Sequence, residues 1–164
     1  MDALAIHQRL TARFEAGVGA CDLQAKDPSI TIEAAGLVDV CRFLHDEPDL
    51  AFDSLSNESG VDYKARGAIQ VVYHLFSYAH RHWIVLKVDA PRDNPVIPSV
   101  EGVWKAANWH EREIYDLLGV TFTGHPDLRR LLMPEDWIGY PLRKDFVEPE
   151  EYHGISTRRE SLLR

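Results

Sequence analysis

The sequence predicts an α+β fold: a two-layer sandwich of a mostly antiparallel sheet with helices packed on one face, followed by an extended C-terminal arm. Three observations carry this prediction. Residues 67–78 (GAIQVVYHLFSY) and 82–88 (HWIVLKV) are rich in β-branched and aromatic side chains and only residues 79–81 separate them, so they form an antiparallel hairpin. Residues 36–45 and 109–118 place apolar side chains at three- and four-residue spacing, the period of a helix that buries one face. Beyond Gly119, Pro126, Pro134 and Pro141 cut the chain into pieces too short for a long regular element. The division that follows is an α+β core over residues 1–120 and a docking arm with a polar tail over residues 121–164.

In chain order, Leu4, Ile6, Leu10 and Phe14 outline a first amphipathic helix that stops near Gly17 and Gly19 and lies on the sheet as a lid. A short strand over residues 21–25 comes next. The turn Lys26-Asp27-Pro28 then leads to a strand over residues 29–33 (SITIE). The helix over 36–45 buries Leu37, Val40, Cys41 and Leu44 and ends before Pro48. Residues 51–55 lead into a turn-rich stretch at 56–60, after which residues 61–63 resume a strand. The hairpin supplies the two clearest strands of a four- or five-stranded sheet. Both faces of its first strand carry large apolar groups, Tyr73 and Leu75 on one side and Val72, His74, Phe76 and Tyr78 on the other. The second face is therefore expected to be partly covered, by the arm or otherwise.

Pro91, Pro95 and Pro98 open a charged crossover, and Ser99 is placed to cap a short helix with Val100, Val103 and Trp104 on one side. In the helix that begins at Trp109, Ile114, Leu117 and Leu118 share a face with His110, and Gly119 supplies the stop. Arg112 lies four residues before Asp116 and is spaced to pair with it, as Glu111 is with Tyr115. Glu111 and Glu113 point about 200° apart and do not share a site. Residues 120–122 form a brief strand, 123–126 a turn and 128–133 a short extended or single-turn piece. Past Phe146 the tail is polar, with a weak terminal helix from Ser156.

The chain of 164 residues and 18.7 kDa, with 45% hydrophobic and 27% charged residues, has the composition of a globular domain. Its net charge is −8, and acids outnumber bases both in residues 1–100 and in residues 101–164. That argues against nucleic acid and against anionic lipid, which need a clustered cationic face. The N-terminal stretch has an acid at position 2 and no basic lead into an apolar run, and no stretch reaches about eighteen apolar residues. Neither a secretory nor a membrane-spanning segment is expected, so attachment to a membrane would run through other subunits. Cys21 and Cys41 are too few for a disulfide framework and too far apart in sequence to ligate an iron–sulfur cluster. Gly17-Val18-Gly19 lacks the third glycine of a dinucleotide loop. His80 with His82, and Cys41 with His45, each offer a metal only two ligands. The one arrangement a small autonomous enzyme would have is His110 or His125 beside Glu111.

The arm mixes Arg129, Arg130, Arg143 and Lys144 with Asp127, Glu135, Asp136 and Asp145, among Trp137, Tyr140 and Phe146. Its own packing would hold such a segment weakly. Its shape would come from ion pairs, internal or with a partner, and arginines forking to carboxylates around aromatic anchors is an interface composition. On that reading, reversing Arg129 and Arg130 to glutamate loosens assembly and leaves the isolated fold largely intact.

The same region carries a family resemblance. The motifs ERE (111–113), YDLLGV (115–120), GHPDLRRLLMPEDW (124–137) and GYPLRKDF (139–146) follow one another at consistent spacing. Upstream of them stand LSNESGVDY (55–63), VVYHLFS (71–77) and NPVIPSVEGVWKAANW (94–109). Together, over roughly residues 30–148, they resemble the 30-kilodalton subunit of proton-pumping NADH:quinone oxidoreductase, as found in bacteria. One departure is Asn57-Glu58-Ser59-Gly60, where the family has a shorter and more acidic lead into VDY.

The resemblance implies a structural, non-catalytic subunit of the hydrophilic arm, peripheral to the cytoplasmic side of the cell inner membrane. It would brace the large 49-kilodalton quinone-site subunit beside the iron–sulfur subunits. Flavin, iron–sulfur clusters and quinone would belong to the assembled complex, with no cofactor in this chain. It also implies a subunit interface made of Glu111, Arg112, Glu113, Tyr115, Asp116, His125, Asp127, Arg129, Arg130, Trp137, Tyr140, Arg143, Lys144, Asp145 and Phe146. The same module resembles parts of membrane-bound hydrogenases and of quinone-reducing complexes that do not use NADH, which leaves the machine open at this point.

Overall fold

The structure is a computed structural model that describes residues 1–15 and 17–158. Its elements are α1 (Ala3–Arg13), β1 (Val18–Asp22), β2 (Ser29–Ile32), α2 (Leu37–Asp46), β3 (Ser54–Tyr63), β4 (Ala68–Ser77), β5 (His82–Pro91), β6 (Val96–Pro98), α3 (Ala107–Leu118), β7 (Thr121–Thr123), β8 (Glu151–Tyr152) and β9 (Ile155–Ser156). Five strands form a mixed sheet in the order β1-β2-β5-β4-β3. β3, β4 and β5 are a meander of antiparallel neighbours, and β2 lies on the far side of β5 and runs parallel to it. β6 and β7 make a separate parallel pair, with Ile97 and Phe122 buried opposite one another. Among the described residues no helix is long and apolar enough to cross a membrane.

The strand alternation predicted for the hairpin decides the layering. Ile69, Val71, Tyr73 and Leu75 of β4 and Ile84, Leu86, Val88 and Ala90 of β5 face one side and are buried. They join one hydrophobic cluster with Ile6 and Leu10 of α1, Leu37, Val40, Cys41 and Leu44 of α2, and Ile114 and Leu118 of α3. The face of α1 is set by Ala3, Ile6 and Leu10, while Leu4 points outward at 45% exposure. Asp2 caps that helix by accepting from the Ala5 N–H at 2.8 Å. Trp104 anchors the loop before α3, its Nε1–H donating to Phe52 O at 2.9 Å.

Three local expectations are corrected. The first strand spans Val18–Asp22 rather than 21–25, because Asp22 Oδ1 accepts from the Gln24 and Ala25 amides and turns the chain there. β3 runs unbroken through the stretch predicted as a turn, with one irregularity between Leu55 and Asn57. Gly60 is not a turn residue: a Cβ there would sit 2.4 Å from Leu118 Cδ1 and 3.1 Å from Ile114 Cγ2, so its absence lets α3 lie flat on the strand. The helix expected after Ser99 is a turn closed by the Val103 and Trp104 amides on Val100 O. The second face of the sheet is partly covered, as expected, though not by the arm: Val72, His74 and Phe76 are half-buried. Val85 is buried, but Tyr78 is 71% and Trp83 56% exposed, and the arm packs against α3 and the Asp62 side of β3 instead.

Within the described tail, β8 and β9 form a small hairpin. The terminal helix expected from Ser156 involves residues 159–164, which lie outside the described residues.

Candidate functional site

The candidate site is the seam between α3 and the arm, and three buried carboxylates build it. The first is Asp116, whose side chain is fully enclosed. Its Oδ2 accepts the Leu131, Leu132 and Met133 amides at 3.0, 2.7 and 2.8 Å, and its Oδ1 accepts Arg130 Nη1 at 2.7 Å. Burial pushes the Asp116 carboxyl up. The Met133 amide, the Arg130 guanidinium and the Leu132 and Leu131 amides outweigh that and hold it below the usual aspartate value. Arg130 also donates to Asp116 O, Trp137 O and Gly139 O, so one guanidinium ties α3 to the arm at two further carbonyls.

The spacing of Arg112 and Asp116 predicted a pair that does not form. Arg112 donates instead to Arg129 O and Arg130 O, at 3.3 and 3.4 Å, with its guanidinium 5.1 Å from the Trp109 ring centre. The arm comes between the two side chains, and the carboxylate takes the arm's arginine in place of its own helix neighbour. His110 is half-exposed rather than on the buried face. The residues that are buried there include Glu111, Arg112 and Asp116, because α3 is enclosed by the sheet on one side and the arm on the other.

The second carboxylate is Asp62, on the core side of β3 with no exposed side-chain surface. Arg92 forks onto it, Nε to Oδ1 at 2.7 Å and Nη2 to Oδ2 at 2.9 Å, while its Nη1 reaches Asp145 Oδ2 at 3.0 Å. The Lys144 amide donates to Asp62 Oδ2 at 2.8 Å. The Arg92 fork, helped by that amide, overcomes desolvation and lowers the Asp62 carboxyl to about 2. Nearby, the open carbonyls at the end of α3 are closed by the arm: Arg143 Nε donates to Leu118 O at 2.7 Å and the Leu142 amide to Leu117 O at 3.0 Å. Gly119, at φ 76°, stops the helix, and the Tyr140 ring packs where its Cβ would stand, 2.5 Å from Cε2.

The third carboxylate is Glu111. It accepts Ser99 Oγ–H at 2.6 Å and the Val100 amide at 2.7 Å, with His125 Nε2 3.9 Å away. His125 Nδ1 accepts the Asp127 amide, so Nε2 carries the hydrogen and donates to Asn108 O at 3.1 Å. Sequence reasoning paired His125 with Glu111, and the structure does bring them together. Both side chains are nevertheless without solvent exposure, and both ring nitrogens are engaged. Burial raises Glu111 to about 7, against the lowering effect of Ser99 and Val100. Glu58 on β3 is buried with neither carboxyl oxygen hydrogen-bonded, and burial and then Glu111 push it well above the usual glutamate range. The Tyr73 hydroxyl beside them is also without a partner.

Of the remaining expected interface residues, Glu113 and Lys144 are exposed, and Asp127 and Arg129 form a surface pair at 2.8 Å. Tyr115, Trp137, Tyr140 and Phe146 are half-buried. Among the described residues no three His, Cys, Asp or Glu side chains gather as a metal-ligand set. His80 and His82 donate to Pro48 O and Leu50 O, fastening the hairpin turn to the loop after α2. The residues that sequence reasoning missed are Arg92 and Asp62, whose pairing across the fold leaves no local spacing to read. Also missed were Ile138, Val147 and Tyr152, which share a cleft beside Trp137.

The family described as respiratory-chain NADH dehydrogenase, 30 Kd subunit, matches residues 30–152. A Roseiflexus sp. (strain RS-1) protein named as a subunit of NADH-quinone oxidoreductase is 47% identical over 147 residues, covering 88% of this chain and 84% of its own. The solved structure of a trypsin-resistant fragment of Nqo5 is similar with a TM-score of 0.60 at 26% identity, over 75% of this chain and 99% of that one. A chain of the archaeal membrane-bound sulfane sulfur reductase, a respiratory membrane complex, shares the fold. Its TM-score is 0.63 at 23% identity, over 88% of this chain and 85% of its own.

Proposed function

Because this chain belongs to the family of the respiratory-chain NADH dehydrogenase 30 Kd subunit, we propose that it works as a positioning subunit of an NADH-quinone oxidoreductase, its arm holding a neighbouring subunit in place. The observation that carries this reading is the seam itself. Asp116, Asp62 and the end of α3 are spent on fixing the arm's backbone, while Leu132, Ile138, Leu142 and Val147 of the arm remain exposed. Ion pairs turned inward beneath apolar groups turned outward make a preorganised surface that loses little entropy on docking.

The neighbour is the large 49-kilodalton quinone-site subunit, alongside the iron–sulfur subunits. Flavin, clusters and quinone are held there, and electrons pass from NADH to quinone with coupled proton translocation. This chain contributes placement, and its attachment to the membrane runs through those partners. Co-purification of the tagged full chain from a mild-detergent extract tests the reading: the quinone-site subunit is recovered with it, and a clean failure to recover it overturns the proposal. The fold shared with the sulfane sulfur reductase chain keeps a second machine in view. NADH-driven quinone reduction by the recovered complex supports the first reading, and a complex inert to NADH but active with another donor supports the second.

A further inference from the structure

Ile138 and Val147 are the most exposed large apolar side chains of the described arm, at 87% and 84%. They do not stand apart: with Trp137, Pro149 and Tyr152 they line one cleft of about 360 Å³. Apolar surface gathered around a concavity is characteristic of a docking site, whereas a lone exposed aliphatic side chain is ordinary.

The walls of this cleft are fixed before anything enters it. The Trp137 ring lies 5.2 Å from Tyr152 and 6.5 Å from Phe146, centre to centre. Asp136 holds the tail hairpin against it, accepting Tyr152 O–H at 2.9 Å and His153 Nε2–H at 2.7 Å. Glu151 lines the cleft and is exposed, and the exposed Glu135 and Glu148 stand next in sequence to its lining residues, which gives it an acidic surround.

We propose that this cleft is a socket for one apolar side chain carried on a lysine- or arginine-bearing segment of a neighbouring subunit. The proposal rests on the assembly role given above and adds where the contact is made and what chemistry it selects. The aliphatic rim closes over the incoming side chain, the aromatic wall gives it shape, and the glutamates favour basic flanks.

The test places a photo-crosslinking benzoylphenylalanine at position 147 of the full chain, expressed with the other subunits, and identifies the attached peptide by mass spectrometry. The expected peptide comes from another subunit and has an aliphatic or aromatic residue within a few positions of a lysine or arginine. In parallel, the double variant Ile138→Asp/Val147→Asp lowers recovery of that subunit about tenfold. Circular dichroism of the variant matches the parent, since both aspartates replace exposed side chains. Cross-links confined to this chain or to a second copy of it overturn the socket, as does undiminished recovery of partners by the double variant, while the assembly role stands. If the parent chain recovers no partner at all, both fall.

Discussion

Arg130 meets the fully enclosed Asp116 carboxylate at 2.7 Å, fourteen residues back along the chain, and the same guanidinium holds the carbonyls of Trp137 and Gly139. A residue whose sequence context reads as an outward-facing docking charge is therefore an internal tie. Its neighbour Arg129 is the surface group, 66% exposed and, among the described residues, paired with Asp127.

Charge reversal separates the two arginines. Arg130→Glu places two carboxylates in one buried site and costs about 3 kcal/mol of folding stability. Arg129→Glu leaves the urea midpoint close to that of the parent chain. Equal effects in urea denaturation would contradict the assignment, and the expectation that both reversals spare the fold now holds for Arg129 alone.

Acid should release the arm from β3. Asp62 is lowered to about 2 by the Arg92 fork, below the value of about 4 of an unfolded aspartate. Its contribution is therefore fully present above about pH 4 and is lost as pH falls towards 2. Asp62→Asn is expected to be less stable than the parent at pH 7 and to lose less on acidification. Urea midpoints at pH 7 and pH 3 measure both slopes, and parallel slopes would count against the tie.

Alkali acts on the buried glutamates. Glu111 is raised to about 7 and Glu58 lies well above its usual range, so the folded chain binds protons that the unfolded chain releases near pH 4. The stability they confer is complete below the unfolded value and declines as pH rises through the folded one, on the order of 2 kcal/mol for Glu111 between pH 5 and 8. Glu58→Gln and Glu111→Gln are each expected to flatten that decline. A parent chain equally stable at pH 5.5 and 8.5 would remove the argument.

Close packing at one glycine makes a simple test of the α3–β3 contact. Gly60→Ala puts a methyl 2.4 Å from Leu118 Cδ1 and should cost about 1–3 kcal/mol. The companion variant Gly60→Ala/Leu118→Ala, which trims the side chain in the way, should be destabilised by less than the sum of the two single changes. Strict additivity in thermal denaturation would place the two residues out of contact.

The parts of this structure that could be read in the sequence are those governed by a short period. The β4–β5 hairpin and α2 follow from alternation and from three- and four-residue spacing, because each buries a face set by its own neighbours. β3 was misread at Gly60, since a glycine that admits a helix looks the same in sequence as one that makes a turn. The seam was half legible. Its composition marked residues 111–146, but four-residue spacing suggested Arg112 for Asp116, and nothing local points Arg92 to Asp62 across thirty residues. Long-range charge pairs are chosen by the assembled backbone, and they are what gives the arm its shape.

Hydrogen exchange of the full chain, alone and within the complex, tests the central claim most directly. The Leu131, Leu132 and Met133 amides held by Asp116, and the Leu142 and Lys144 amides held by Leu117 O and Asp62, should be protected in the isolated chain already, with the amides of the exposed Ile138 and Val147 gaining protection only on assembly. Arm amides that exchange freely without partners, or an arm whose protection does not change on assembly, would contradict an arm that is built by its own chain to be read by another.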